Sequence, residues 1–157
     1  MPLSVGDRAP DFDLPTDAGR VSLKNLKGKT VVLYFYPKDD TSGCTAEAQG
    51  FSAAAGDFER ADAVVVGVSK DSAASHGKFS AKYDLRGLTL GSAKEDDVVE
   101  RYGAWVEKSM YGRRYFGIDR STFLIDRQGV IRRIWRKVKV PGHVAEVLSE
   151  ARNLAEA

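Results

Sequence analysis

The sequence predicts an α/β protein, and three features of its patterning carry that prediction. Two apolar runs rich in β-branched and aromatic residues, Val31-Val32-Leu33-Tyr34-Phe35-Tyr36 and Val64-Val65-Val66-Gly67-Val68, are each followed by a stretch of helical periodicity. The order strand, helix, strand, helix implies a right-handed parallel crossover. Further on, Asp126-Arg127-Gln128-Gly129 separates two strand-like runs and reads as the turn of an antiparallel hairpin. A chain of 157 residues can bury roughly 70% of its unfolded surface. No linker, repeat or low-complexity segment interrupts it, so one domain over 1–157 is expected.

Each element has its own signal. Phe12 and Leu14, then Val21 and Leu23, alternate around Pro15 and Gly19, which predicts a small N-terminal β-hairpin. The run 31–36 is bounded by Lys27-Gly28-Lys29 and by Pro37, as a short buried strand would be. Beyond Gly43 the residues Cys44, Ala48, Phe51, Ala55 and Phe58 recur at helical spacing, predicting one helix through Arg60. After the second buried strand, Ser72 to Tyr83 reads as a helix with His76, Phe79 and Tyr83 on its apolar stripe. Leu88 to Leu90 reads as a short strand and Asp96 to Tyr102 as a short helix. Ser121 to Ile125 and Val130 to Trp135 are the arms of the late hairpin. The last helix starts at about Gly142, with Val144, Val147, Leu148, Ala151 and Leu154 on one face.

Cys44 is the only cysteine. It falls in the first turn of a helix that begins just past a buried strand, where unpaired backbone N–H groups and the positive helix end favour thiolate over thiol. That end contributes about 0.3 to 1 kcal/mol, at most ~2. Holding most of a thiol ionised at neutral pH requires roughly 2.7 kcal/mol, so a second positive group must stand nearby. The competing reading of a lone cysteine is a small buried hydrophobe; the context Pro37, Thr41, Gly43 tips the balance toward a nucleophile.

The spacing Pro37-x-x-x-Thr41-x-x-Cys44 resembles the PxxxTxxC signature of peroxiredoxins, thiol peroxidases on a thioredoxin-like fold. The likeness continues in Gly6-Asp7-Arg8-Ala9-Pro10-Asp11-Phe12, Tyr34-Phe35-Tyr36-Pro37, Tyr102-Gly103-Ala104-Trp105 and Arg120-Ser121-Thr122-Phe123-Leu124-Ile125-Asp126. These segments are similar to the bacterioferritin-comigratory (PrxQ) branch. The resemblance implies a mixed central sheet flanked by helices, and reduction of hydrogen peroxide and alkyl hydroperoxides through a Cys44 sulfenic acid. It assigns the missing cation to Arg120, whose donor fork can contact thiolate and peroxide together. Thr41 offers its hydroxyl to a peroxide oxygen, and the N–H groups of Gly43 and Cys44 hold the other end, where charge moves in the transition state. Pro37 fixes the start of the loop and Gly43 permits close backbone approach. Glu47, one turn into the helix, either orients Arg120 or is a solvent-facing charge. Taken singly, Thr41 could merely cap the helix, Gly43 merely serve the turn and Arg120 merely begin a strand; together they fit the signature.

The sequence departs from the family pattern where a resolving cysteine is expected. The two positions where relatives carry it correspond to Gln49 and, approximately, Ser80, and neither can form a disulfide. The sulfenic acid must therefore be reduced by an external thiol such as thioredoxin, glutaredoxin or glutathione. Ser42 also stands where many relatives carry proline.

Other classes fit less well. No metal, haem or flavin is expected: His76 and His143 are isolated in sequence from any ligand-spaced cysteine or carboxylate. Neither histidine has a motif that would make it the base of a cysteine hydrolase, and the missing Cys-x-x-Cys argues against a disulfide reductase. Arg132, Arg133, Arg136, Lys137 and Lys139 cluster, but with net charge +2 they read as a solvated strand face rather than a nucleic-acid site. No apolar run approaches the roughly 20 residues of a membrane span and no leader pattern is present, so a cytoplasmic protein is expected, monomeric or weakly homodimeric. Trp105 belongs to the core or to the rim of a pocket. A non-enzymatic redox sensor or binding module using Cys44 as an oxidisable thiol is the rival to the peroxidase.

Overall fold

The structure, a computed structural model, describes residues 3–156. The N-terminal hairpin forms as its alternation predicts, from β1 (Asp13–Thr16) and β2 (Gly19–Ser22), with Leu14 opposite Val21. Pro15 is tolerated because a two-stranded ribbon is all edge. The first buried strand is β3 (Thr30–Phe35), with every residue buried. It feeds α1 (Ser42–Ala53), then α2 (Ala55–Arg60), β4 (Ala63–Ser69) and α3 (Ala73–Tyr83). The Ser72 hydroxyl caps α3 by accepting from Ser75 N–H at 3.1 Å. Next come β5 (Leu88–Ser92), α4 (Val98–Arg101), β6 (Trp105–Met110), β7 (Arg113–Ile118), β8 (Ser121–Ile125), β9 (Ile131–Trp135) and α5 (His143–Ala155).

The central sheet has the order β5-β4-β3-β8-β9. The pairs β3–β4 and β4–β5 are parallel, whereas β3–β8 and β8–β9 are antiparallel, which makes the sheet mixed. Strand alternation sorts β3 onto two cores. Val31, Leu33 and Phe35 face the N-terminal hairpin and α4, packing with Phe12, Leu14, Val98 and Tyr102. Val32, Tyr34 and Tyr36 face the opposite side, where Cys44, Phe51, Phe58, Phe79 and Val147 converge from α1, α2, α3 and α5. Each large apolar side chain so buried contributes roughly 1.5–3 kcal/mol. Among the described residues no helix is long and apolar enough to cross a membrane.

Two elements differ from the sequence expectation. The helix expected to run unbroken to Arg60 is interrupted at Ala54, whose ψ of 4° ends α1. The small residues Ala53 to Gly56 supply little to hold one axis, and the break lets Phe58 turn onto the same core as Phe51, with ring centroids 5.9 Å apart. The β6–β7 hairpin was not anticipated. It closes through Tyr111 and Gly112, whose φ values of 53° and 78° give the doubly positive turn that a two-residue hairpin requires. Trp105, half-buried at its base, stacks on Phe116 with Lys70 Nζ 4.6 Å above its ring.

Candidate active site

The C-terminal end of β3 delivers the chain through Tyr36 into an exposed Pro37, and α1 begins five residues later at Ser42. The first intrahelical bond runs from Thr45 N–H to Thr41 O at 2.8 Å. The N–H groups of Gly43 and Cys44 therefore precede the helical ladder and are not consumed by it. Thr41 occupies the N-cap position, yet its side chain makes no cap bond; the hydroxyl instead donates to Lys38 O at 3.0 Å. Cys44 is 1% exposed and packs in the core with Tyr34, Tyr36 and Phe51.

Arg120 is brought to Cys44 by the sheet. It immediately precedes β8, whose Ser121 pairs with Phe35 of β3, and its backbone carbonyl accepts Val138 N–H at 2.9 Å. Its fork then spans two groups: Nη2 lies 3.3 Å from Cys44 Sγ, and Nη1 donates to Glu47 Oε1 at 2.6 Å. Gly43 makes room for this. A Cβ there would stand 3.2 Å from Arg120 Nη2, so any side chain would press on the guanidinium. The need at this position is space, since Gly43 is not among the positive-φ residues.

Glu47 is fully buried, which removes the solvent-facing alternative. Burial pushes its carboxyl up to about 7, against the pull of Arg120. Burial opposes the charge on Arg120, but Glu47 and then Cys44 outweigh it and hold the guanidinium above its ordinary value. Glu47 Oε2 and the Tyr34 phenol oxygen have no hydrogen-bond partner among the described residues. The Tyr34 phenol is held far above its ordinary range by burial, then by Glu47.

A second polar cluster lies beneath the same loop, and the sequence reading missed it. His76, expected on an apolar stripe and isolated in sequence from any ligand-spaced carboxylate, is indeed buried, but its Nδ1 is 2.7 Å from Asp39 Oδ2. Asp39 Oδ1 accepts the Tyr36 hydroxyl at 2.5 Å and Oδ2 accepts the Ser75 hydroxyl at 2.8 Å. Burial works to raise the Asp39 carboxyl, but hydrogen bonds from His76, Tyr36 and Ser75 prevail and hold it below its ordinary range. Asp71 joins through Asp39 N–H. Donor atoms of Asp39, Asp71 and His76 come within 4.8 Å of one another, as metal ligands would, but all three are engaged in this hydrogen-bond network. His143 meets Thr122 Oγ1 through Nε2 at 2.8 Å; burial lowers its pKa.

Gln49 is exposed on α1 and Ser80 is half-buried on α3. The late basic cluster is partly tied into the fold: Arg133 pairs with Glu146 and Glu150 of α5, and Arg136 donates to Tyr102 O and Gly103 O.

Comparison with known proteins agrees with this geometry. The sequence pattern of the AhpC/TSA family matches residues 5–134. A Coxiella burnetii protein named as a peroxiredoxin bcp is 54% identical over 149 residues, covering 94% of this chain and 98% of its own. Peroxiredoxin Bcp of Bacillus subtilis is 46% identical over 157 residues, covering 99% of each chain. A structure of the Xanthomonas campestris bacterioferritin comigratory protein, studied for alkyl peroxide reduction, superposes with a TM-score of 0.86 at 39% identity over 92% of each chain. A buried cysteine held by an arginine at a helix start, on a mixed sheet shared with these relatives, leads to one assignment: the chain belongs to the AhpC/TSA family, in its bacterioferritin-comigratory peroxiredoxin branch of thiol-dependent peroxidases.

Proposed function

We propose that this chain, as one domain over 1–157, reduces hydrogen peroxide and alkyl hydroperoxides with Cys44 as nucleophile. The observation that carries the reading is Arg120 Nη2 at 3.3 Å from Cys44 Sγ, the cation that the helix end alone could not replace. The Cys44 thiolate attacks the hydroxyl-bearing peroxide oxygen. An S–O bond forms as the O–O bond breaks, and the leaving oxygen takes a proton to become water or an alcohol. Cys44 is left as the sulfenic acid. Arg120 and the N–H groups of Gly43 and Cys44 stabilise the charge that moves onto the leaving oxygen. Thr41 orients the peroxide, Pro37 sets the loop, and Glu47 holds the second arm of the Arg120 fork.

With Gln49 and Ser80 in place of a thiol, resolution falls to an external thiol. That thiol attacks the sulfenic sulfur, releases water and leaves a mixed disulfide, which a further thiol reduces. Thioredoxin, glutaredoxin and glutathione are the candidate donors. A lone unbridged cysteine suits the cytoplasm, and we assign a monomer or weak homodimer. Following peroxide loss with the three reductants in parallel tests the reading: sustained turnover with at least one supports it. Oxidation that stops after a single equivalent with all three assigns the chain instead to the redox-sensor class.

A further inference from the structure

The peptide unit between Lys38 and Asp39 is gripped on both sides. Its N–H, from Asp39, donates to Asp71 Oδ2 at 2.8 Å, and its C=O, from Lys38, accepts the Thr41 hydroxyl at 3.0 Å. A peptide plane is rigid, so the carboxylate on one side fixes the acceptor that the Thr41 hydroxyl meets on the other. Asp71 is itself fixed to the ends of β4 and β5: the Ser69 hydroxyl donates to its Oδ2 at 2.7 Å, and its backbone C=O accepts the Ser92 hydroxyl at 2.6 Å.

The Asp39 side chain adds a second anchor behind the same peptide. His76 Nε2 lies 3.1 Å from Gly91 O, and a carbonyl only accepts, so Nε2 carries a hydrogen. Two bare lone pairs cannot face each other at the 2.7 Å separating His76 Nδ1 from Asp39 Oδ2, so a proton is held between them. The next residue, Asp40, sits at φ 60° and is held by Lys82 Nζ at 2.7 Å and the Tyr83 hydroxyl at 2.5 Å. The loop that carries Thr41 is thus pinned to α3 and to the β4 end by groups that, among the described residues, make no hydrogen bond to Cys44.

We propose that Asp71, backed by the Asp39–His76 pair, is a positioning residue for Thr41. By turning the Lys38 carbonyl toward Thr41, it commits the hydroxyl hydrogen and leaves the Thr41 oxygen to accept the O–H of the peroxide. That polarity aligns the hydroxyl-bearing oxygen with Cys44 and reserves the donors, Arg120 and the helix-start amides, for the leaving oxygen. Without Asp71 the peptide loses the bond that sets its plane, and Thr41 can present its hydrogen instead, opposing the required orientation. The inference rests on the peroxidase reading above.

The test measures single-turnover oxidation of Cys44 by hydrogen peroxide, and separately its alkylation by iodoacetamide. Asp71→Ala should slow oxidation by about 10- to 100-fold, the scale of a misplaced reacting group, with alkylation within about twofold of wild type. Asp71→Asn keeps an oxygen for Asp39 N–H and should stay within about threefold. In a Thr41→Val background, Asp71→Ala should cost less than about threefold, because two mutations acting through one contact do not add. Additive losses, or alkylation that falls in step with oxidation, would overturn the proposal, as would an Asp71→Ala rate equal to wild type. A wild-type protein inert to peroxide would instead fail the peroxidase reading. If Asp71→Ala does not fold, Ser69→Ala removes the hydroxyl that donates to Asp71 Oδ2 and keeps the carboxylate. It should give a loss of about three- to tenfold that vanishes with Thr41→Val; a loss that persists there overturns the proposal equally.

Discussion

Glu47 makes the candidate site around Cys44 a source of pH-dependent instability, and Glu47→Gln exposes it. The carboxyl is fully buried, one oxygen is unpartnered, and burial raises its pKa from the ordinary 4.5 to about 7 despite Arg120. A group that holds its proton more tightly when folded contributes stability that is fully present below its unfolded value and is lost as pH rises through the folded one. The window is therefore about pH 4.5 to 7. Integrated from about pH 5 to 8 with those two values, the loss is on the order of 2–3 kcal/mol. For a domain of this size that corresponds to a fall in Tm of roughly 5 to 10 °C. Gln keeps the oxygen that accepts from Arg120 Nη1 but cannot ionise, so Glu47→Gln should lack this component. Thermal unfolding of both proteins across the range, read as the wild-type minus variant difference, isolates the residue from every other titrating group. Two parallel profiles would refute the argument, because they would mean that Glu47 does not change protonation there.

Two further outcomes follow from the geometry. Gly43→Ala places a methyl 3.2 Å from Arg120 Nη2 and should displace the guanidinium. Oxidation and alkylation of Cys44 should then both fall, oxidation by about 10- to 100-fold; unchanged rates would show that Arg120 yields freely. Restoring a thiol by Gln49→Cys or Ser80→Cys should let a peroxide-treated monomer form an intramolecular disulfide, detected as a loss of two hydrogens by mass spectrometry. It should also slow overoxidation to sulfinic acid; if neither variant forms the bond, the resolving position lies elsewhere.

How much of this was legible in the sequence depends on the range of each interaction. The buried strands, the N-terminal and late hairpins and the last helix were legible, because each is specified by alternation or helical spacing within its own segment. The β6–β7 hairpin was not, since Glu107, Lys108, Arg113 and Arg114 spread charge along the two strands and blur the alternation; only the tight Tyr111–Gly112 turn marks it. The same division runs through the site. Cys44, Thr41 and Gly43 share one loop and helix start, so their spacing could be matched directly, and Arg120 came with a second motif.

The network beneath the loop has no such local spacing. Asp39 meets Asp71 and His76 only because the parallel crossover from β3 to β4 and on into α3 brings the loop, the β4 end and the first turns of α3 together. A histidine on an apolar stripe is indistinguishable in sequence from a core aromatic until its partner is known. The residues flanking β4 did hold a trace of it: Ser69 and Asp71 are polar groups placed where a buried strand ends, and polar groups there must find partners or lose stability. Ser69 and Asp71 bond each other, and Asp71 also takes the Asp39 N–H of the loop that leads to Cys44. The chain's chemistry is therefore readable as a motif, whereas the scaffold that aims it is readable only once the sheet is assembled.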